Sequence, residues 1–212
     1  MDNITYRQAT DNDFNKCLDV IYDAFQDYSV YHIWEVGSTE NQNKFNRAIM
    51  SVQLYDAMKN DTVMVAERNN EIICVSLIQD ENHKEPSVPR YFLYGALSII
   101  RYGGIKNTFG FLDMMDTCNS HRLKYAETNP CYNLECIAVS KKYIGKGIGS
   151  HMIKNCVIPF VKKHGGKHIT LITNALNNTF FYKKNGFEVI EHDTSSYNNK
   201  SLDNWTFKLD IQ

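Results

Sequence analysis

The chain has 212 residues, a formal charge of −1, 43% hydrophobic and 22% charged residues, values that suit one soluble domain with a full hydrophobic core. No apolar run approaches the roughly 18 residues of a membrane span, the Met1-Asp2-Asn3 start lacks the pattern of a secretory leader, and the net charge alone predicts no nucleic-acid partner. A cytoplasmic setting is therefore expected, where six cysteines without a CxxC pair read as reduced, mostly buried thiols rather than a disulfide or metal framework.

Ile4 to Gln8 alternates like a short strand. Asp11 or Asp13 can cap a following helix with Phe14, Leu18, Ile21 and Phe25 on its apolar face. Ser38-Thr39 opens a second helix carrying Phe45, Ile49, Val52 and Met58. Thr62–Arg68 and Glu71–Ile78 are rich in β-branched residues and meet at Asn69-Asn70, a hairpin signal because Asn tolerates positive φ. A polar loop runs from Asp80 to Pro89, and Tyr91 to about Glu127 has helical spacing on both sides of Gly103-Gly104. Then come a strand at Tyr132–Val139, a helix at Gly147–His164, a strand at Lys167–Thr173 and a short helix at Asn177–Asn185. Phe187–Glu191 and Asn204–Asp210 read as the last strands. This alternation predicts an α/β (α+β) single domain over residues 1–212. Its mixed, mostly antiparallel sheet would have about six to seven strands flanked by helices, with a helical insert at about 91–127 before the central strand.

Charge is unevenly placed. Between Cys136 and Phe187 there are nine Lys and no Asp or Glu, whereas residues 1–135 sum to −7 from 12 basic and 19 acidic side chains. Lysines usually lie on solvated helix faces, yet a carboxylate-free stretch of this length also favours a polyanionic ligand. Inside it lies Val139-Ser140-Lys141-Lys142-Tyr143-Ile144-Gly145-Lys146-Gly147-Ile148-Gly149-Ser150, between a strand and a helix. Alternating glycines let main-chain N–H groups approach a ligand, and the helix N-terminus adds positive potential, so the unit can cradle a pyrophosphate. A P-loop would need Gly-Lys-Ser/Thr, which is missing. A dinucleotide fold would need an acidic residue about 20 positions on, and none precedes Glu188.

Two motifs at the right separation make residues 132–191 resemble the GNAT superfamily of acetyl-CoA-dependent N-acetyltransferases. Ile144-Gly145-Lys146-Gly147-Ile148-Gly149 is similar to the family's pyrophosphate loop. Asn178-Thr179-Phe180-Phe181-Tyr182-Lys183-Lys184-Asn185-Gly186-Phe187 is similar to its Asn…Phe-Tyr…Gly-Phe element. The pattern also looks like the subgroup of small-molecule amine acetyltransferases such as the puromycin-modifying type. Ile144 departs from the usual Arg or Gln, so a side-chain contact is lost or supplied by Lys141, Lys142 or Lys146.

The resemblance implies acetyl-CoA as cosubstrate, no metal, and direct acetyl transfer to a primary amine of a small molecule or a protein N-terminus. It implies cofactor contacts from Ile137, Ala138, Val139, Ile144, Gly145, Lys146, Gly147, Ile148, Gly149, Ser150, Asn178 and Tyr182. Free backbone of the 136–139 strand would pair with the pantetheine arm. Tyr182 would protonate the leaving sulfur, its alternative being a core aromatic. Glu135 would act as base for the amine; simple alternation puts it on the face of Ile137 and Val139, toward a cleft. The cofactor half would be 131–212 and the acceptor half 1–130. Tyr28, Tyr31, Trp34, Tyr55, Tyr91, Tyr94 and Tyr125 in that acidic half suit a cationic amine. The insert could form a homodimer surface or a substrate lid. The competing reading is a non-catalytic CoA-binding sensor of the same fold.

Overall fold

The computed structural model describes residues 4–84 and 88–211. In chain order its elements are β1 (Thr5–Gln8), α1 (Phe14–Phe25), α2 (Thr39–Asn60), β2 (Thr62–Arg68), β3 (Glu71–Gln79), α3 (Val88–Leu93) and α4 (Ala96–Thr128). There follow β4 (Tyr132–Val139), α5 (Ile148–Met152), α6 (Ile158–Lys163), β5 (His168–Thr173), α7 (Leu176–Lys184), β6 (Glu188–Tyr197) and β7 (Lys200–Asp210).

Local chemistry accounts for most boundaries. Ser38 caps α2 by accepting from the Asn41 N–H at 3.3 Å. Asp13 does not cap α1 as expected. Its carboxylate turns back to the Thr10 N–H at 2.8 Å and is held by Arg7 at 2.7 Å. Asn69 and Asn70, with φ of 51° and 62°, make the two-residue turn between β2 and β3. A second such turn at Asn198-Asn199, φ 49° and 61°, joins β6 to β7 and makes both strands longer than their sequence pattern indicates. The added length carries Ser, Thr and Asp on an edge strand with no fully buried face, so it lacks a clean apolar alternation.

The polar loop ends earlier than expected; residues 85–87 lie outside the described part, and α3 already holds Pro89 in its first turn. The insert is two helices, as its glycines indicate: α4 leaves helical geometry at Gly104 (φ 73°, ψ 165°). Gly103 lies so close to the Phe45 ring that a Cβ would not fit. The helix after β4 is continuous from Ile148 to Lys163 but widens to a π-turn at Ile153–Val157. Pro159, which lacks an N–H and crowds the carbonyl four residues back, gives the reason for that widening.

The seven strands form one sheet in the order β1-β2-β3-β4-β5-β7-β6. All pairs are antiparallel except β4–β5. One face packs α5, α6 and α7 through Met152, Ile153, Val157, Val161 and Tyr182. The other packs α1 and α2 through Leu18, Ile21, Met50 and Leu54. A third cluster, including Phe45, Phe111 and Met114, fixes the insert against α2. Among the described residues no helix is long and apolar enough to cross a membrane.

Candidate active site

The central feature is where the sheet comes apart. β4 pairs with β3 from Asn133 to Val139, but with β5 only at Tyr132↔Ile169 and Asn133↔Thr170. Beyond those two positions the parallel strands diverge. The β5-facing backbone edge of Leu134–Val139 is left without a strand partner, a state that invites an extended ligand. The expectation that the 136–139 backbone stands free agrees with this geometry.

The glycine loop closes the wide end of the fork. After Val139 a 3-10 turn at Lys141–Tyr143 leads to Gly145 (φ 77°) and Gly147 (φ 75°), conformations that side-chain-bearing residues rarely adopt. The His151 N–H bonds the Gly147 carbonyl at 3.0 Å, so the N–H groups of Ile148, Gly149 and Ser150 are left without an intrahelical acceptor. Gly149 backs onto the Phe181 ring, where an added Cβ would sit 3.0 Å from Cζ. This is a main-chain cradle with space kept open by glycine, and the arrangement fits a pyrophosphate. Ile144 points outward, 62% exposed.

The loop lysines are already engaged. Lys141 bonds Asp27 at 3.0 Å, Lys142 bonds Glu71 at 3.0 Å, and Lys146 donates to the Lys142 carbonyl at 2.8 Å. All are solvent-exposed pairs, weak enough to exchange for a stronger anion.

Tyr182 lies 8% exposed at the base of the fork, with ring contacts to Phe181, Phe187 and Phe207. Burial raises its hydroxyl well above the ordinary phenol range, with smaller contributions from Tyr28 and Cys136. Tyr28 packs at the C-terminal end of β5: its hydroxyl contacts Thr173 Oγ1 at 3.0 Å and accepts from the Asn174 N–H at 2.8 Å. Asn178 donates to the same Thr173 hydroxyl at 3.0 Å. Asn178 and Tyr28 thus meet at Thr173, while Gly149 packs between Phe181 and Val139.

Glu135 lies on a different face of β4 from that expected. Leu77 pairs with Cys136 while Ile78 pairs with Leu134, which leaves Glu135 as the extra residue of a β-bulge. Ile137 and Val139 pack toward α5 and α6, whereas Glu135 turns toward α2. There it accepts from Gln53 Nε2 at 2.7 Å and from Asn133 Nδ2 at 2.9 Å. The bulge resets the alternation that the simple count assumed.

Gln53 and Asn133 were not singled out in the sequence. The available signal was a buried amide in an apolar strand, since Asn133 is 3% exposed between Tyr132 and Leu134. Of the acceptor-half aromatics, Tyr28 and Tyr31 border this site, Tyr31 being close enough to feel the Glu135 charge. Trp34 packs on Gly110 and Tyr55 on Tyr94 instead.

All six cysteines are free and buried; burial pushes the Cys17 thiol up to about 12 and those of Cys118 and Cys156 up to about 11. None is poised as a nucleophile. Donor atoms of Asp56, Asp61 and His83 lie within 4.8 Å of one another, but the His83–Asp61 contact is a hydrogen bond of 2.8 Å.

The chain thus combines a divergent parallel strand pair, a glycine loop and a buried tyrosine. Residues 99–189 match the sequence profile of the acetyltransferase (GNAT) domain. Solved structures share the fold at low identity. One, described as histone acetyltransferase HPA2 and related acetyltransferase, is from Corynebacterium glutamicum (18% identity, TM-score 0.67, covering 99% of this chain and 97% of that one). Another is the Drosophila melanogaster polyamine N acetyltransferase that forms N acetylagmatine (12% identity, TM-score 0.62, 99% and 100% coverage). A third is a GNAT family acetyltransferase from Elizabethkingia anophelis with acetyl-CoA bound (15% identity, TM-score 0.54, 100% of each chain). No curated protein matches the chain.

Proposed function

We propose that the chain transfers an acetyl group from acetyl-CoA to a small primary amine, by direct attack within a ternary complex in the cytosol. The observation that carries this reading is the fork. An unpaired β4 edge, the positive-φ glycines of the following loop, the buried Tyr182 and the hydrogen-bonded Glu135 support it. Acetyl-CoA supplies the thioester and its electrophilic carbonyl carbon. Backbone N–H groups near Ile137–Val139 polarise that carbonyl. Glu135 takes the amine proton, directly or through water, as the new C–N bond forms. Tyr182 gives its proton to sulfur as the C–S bond breaks. Burial favours the proton-bearing phenol at neutral pH, and buried thiols argue for direct transfer over an acyl-cysteine route.

A cationic acceptor suits the site, because Glu135 and the rings of Tyr28 and Tyr31 border it. The polyamine N acetyltransferase among the similar folds acts on amines of that chemistry. A CoA-binding sensor is the second reading; it is favoured by the exposed Ile144, which offers no donor to a phosphate. Calorimetric titration with acetyl-CoA, run beside CoA release over a panel of polyamines and aminoalkyl substrates, separates the two. Micromolar binding with amine-dependent release supports the enzyme. Binding without release on any amine supports the sensor, and no binding removes both.

A further inference from the structure

A chain of side-chain hydrogen bonds leaves Glu135 and ends some distance away at His83 and Asp61. Asn133 Nδ2 donates to Glu135 Oε2 at 2.9 Å and also to Gln79 Oε1 at 2.7 Å. Asn133 and Gln79 are register partners across β4 and β3, and they are only 3% and 9% exposed. Gln79 Nε2 meets His83 Nε2 at 3.3 Å, and His83 Nδ1 meets Asp61 Oδ1 at 2.8 Å. The Asp61 side chain is 2% exposed, and its Oδ2 has no hydrogen-bond partner. Each amide has one donor end and one acceptor end, so the polarity of the chain is fixed throughout. An ionised Glu135 can only accept, so Asn133 must present its NH₂ group. Gln79 must then present its oxygen to Asn133 and its NH₂ to His83. The His83 Nε2 must be bare, with the ring proton on Nδ1 facing Asp61.

We propose that Asn133, Gln79 and His83 form a positioning relay that holds Glu135 ionised and correctly turned only while His83 is neutral. This rests on Glu135 being the base. A proton on His83 Nε2 would face the Gln79 NH₂ group. Relief requires Gln79 and then Asn133 to flip, which turns the Asn133 oxygen toward Glu135. That contact is favourable only if Glu135 itself carries a proton. Protons on His83 and Glu135 are therefore taken up together, with reciprocal effects on affinity. Simple charge attraction works the other way, since an ionised Glu135 would favour a cationic His83. The sign of the coupling thus tests the relay.

Among the described residues the groups facing His83 include Asp56 from α2, Asp61 at its C-terminal end and Gln79 from β3. Its own loop adds Asp80, whose carbonyl takes the His83 N–H, and the neighbouring Glu81 and Lys84. Glu135 faces Gln53, Asn133, Tyr31 and the Cys136 thiol.

The experiment is an NMR titration of the His83 ring in the full chain with EDTA present, assigned with H83Q and compared between wild type and E135Q. A glutamine at 135 can show either end of its amide to Asn133 and so releases the relay. The His83 pKa should then rise by about 0.5–1 pH unit, the size of one mis-oriented hydrogen bond. In a Q79M background, where the chain is cut, E135Q should lower it instead. An unchanged or lowered His83 pKa on E135Q in the wild-type background overturns the relay. If Q79M does not fold, N133L makes the same cut. CoA release reports separately on the base: wild-type turnover in E135Q removes that role, whatever the titration shows.

Discussion

Replacing Tyr182 with Phe separates a catalytic hydroxyl from a core ring. The ring packs edge-on or tilted against Phe181, Phe187 and Phe207 at centroid distances of 5.2, 5.7 and 5.6 Å, and Phe preserves all of these contacts. The hydroxyl is buried and its proton is held by desolvation, so its deletion should leave stability within about 1 kcal/mol of wild type. Losing a general acid should cost about 10²–10⁴ in turnover, which is roughly 3–5 kcal/mol of barrier. Acetyl-CoA affinity, which the proposed site assigns to the glycine loop and the β4 edge, should change less than about threefold, or roughly 0.7 kcal/mol. The assays are CoA release at saturating amine, calorimetric titration with acetyl-CoA, and thermal unfolding. Turnover within about threefold of wild type would refute the assignment. Lost turnover together with a melting point lowered by many degrees would instead mark Tyr182 as structural.

Other perturbations have equally definite outcomes. Q53A removes one of the two hydrogen bonds on Glu135 and should lower turnover less than E135Q does, by about tenfold for a bond worth 1–1.5 kcal/mol, as read by CoA release. Gly147→Ala imposes a side chain at φ 75°; it should cost about 1 kcal/mol in unfolding experiments and weaken acetyl-CoA binding in calorimetry more than it slows saturated turnover. R7A leaves the 8%-exposed Asp13 side chain without its guanidinium and should destabilise by about 1–3 kcal/mol in urea unfolding. The Arg7 hydrogen bond holds the Asp13 carboxyl well below the usual range, so its contribution is present above about pH 4 and is lost as pH falls through the folded value. The acid-side slope of stability should therefore flatten in R7A. On the alkaline side, Cys118 and Cys156, each pushed up to about 11 by burial, contribute fully below about pH 8.5. That contribution declines as pH rises toward the folded values, visible as a falling urea midpoint that C156A partly removes.

The strand, glycine loop and helix start at residues 132–150 were legible because their backbone requirements are local. A strand, three alternating glycines and a helix start lie within residues 132–150, and each carries a backbone requirement that the residue type itself reveals. The hairpin at Asn69-Asn70 was legible for the same reason, whereas the identical signal at Asn198-Asn199 went unread because polar strands flank it. What joins residues distant in the chain left no such trace. Tyr28 meets Thr173 across 145 positions, and Gln53 meets Glu135 across 82. Buried Asn133 and Gln79 are polar letters in apolar strands, a sign of a network whose partners only the sheet register supplies.

The bulge at Glu135 explains why the acceptor side was harder to place, and also why the site can exist there. In a regular strand Glu135 would share the face of Ile137 and Val139 and point into the apolar layer under α5 and α6, where an unpaired carboxylate is costly. One extra residue opposite Leu77 and Ile78 turns the carboxylate to the α2 side, where two amides receive it. The same irregularity falls just where β4 parts from β5, and bulges increase local twist and bend a strand. One inserted position therefore helps to open the fork for an extended ligand and aims a charged group beside it. A deletion at this position would restore alternation, take the carboxylate away and remove both effects at once.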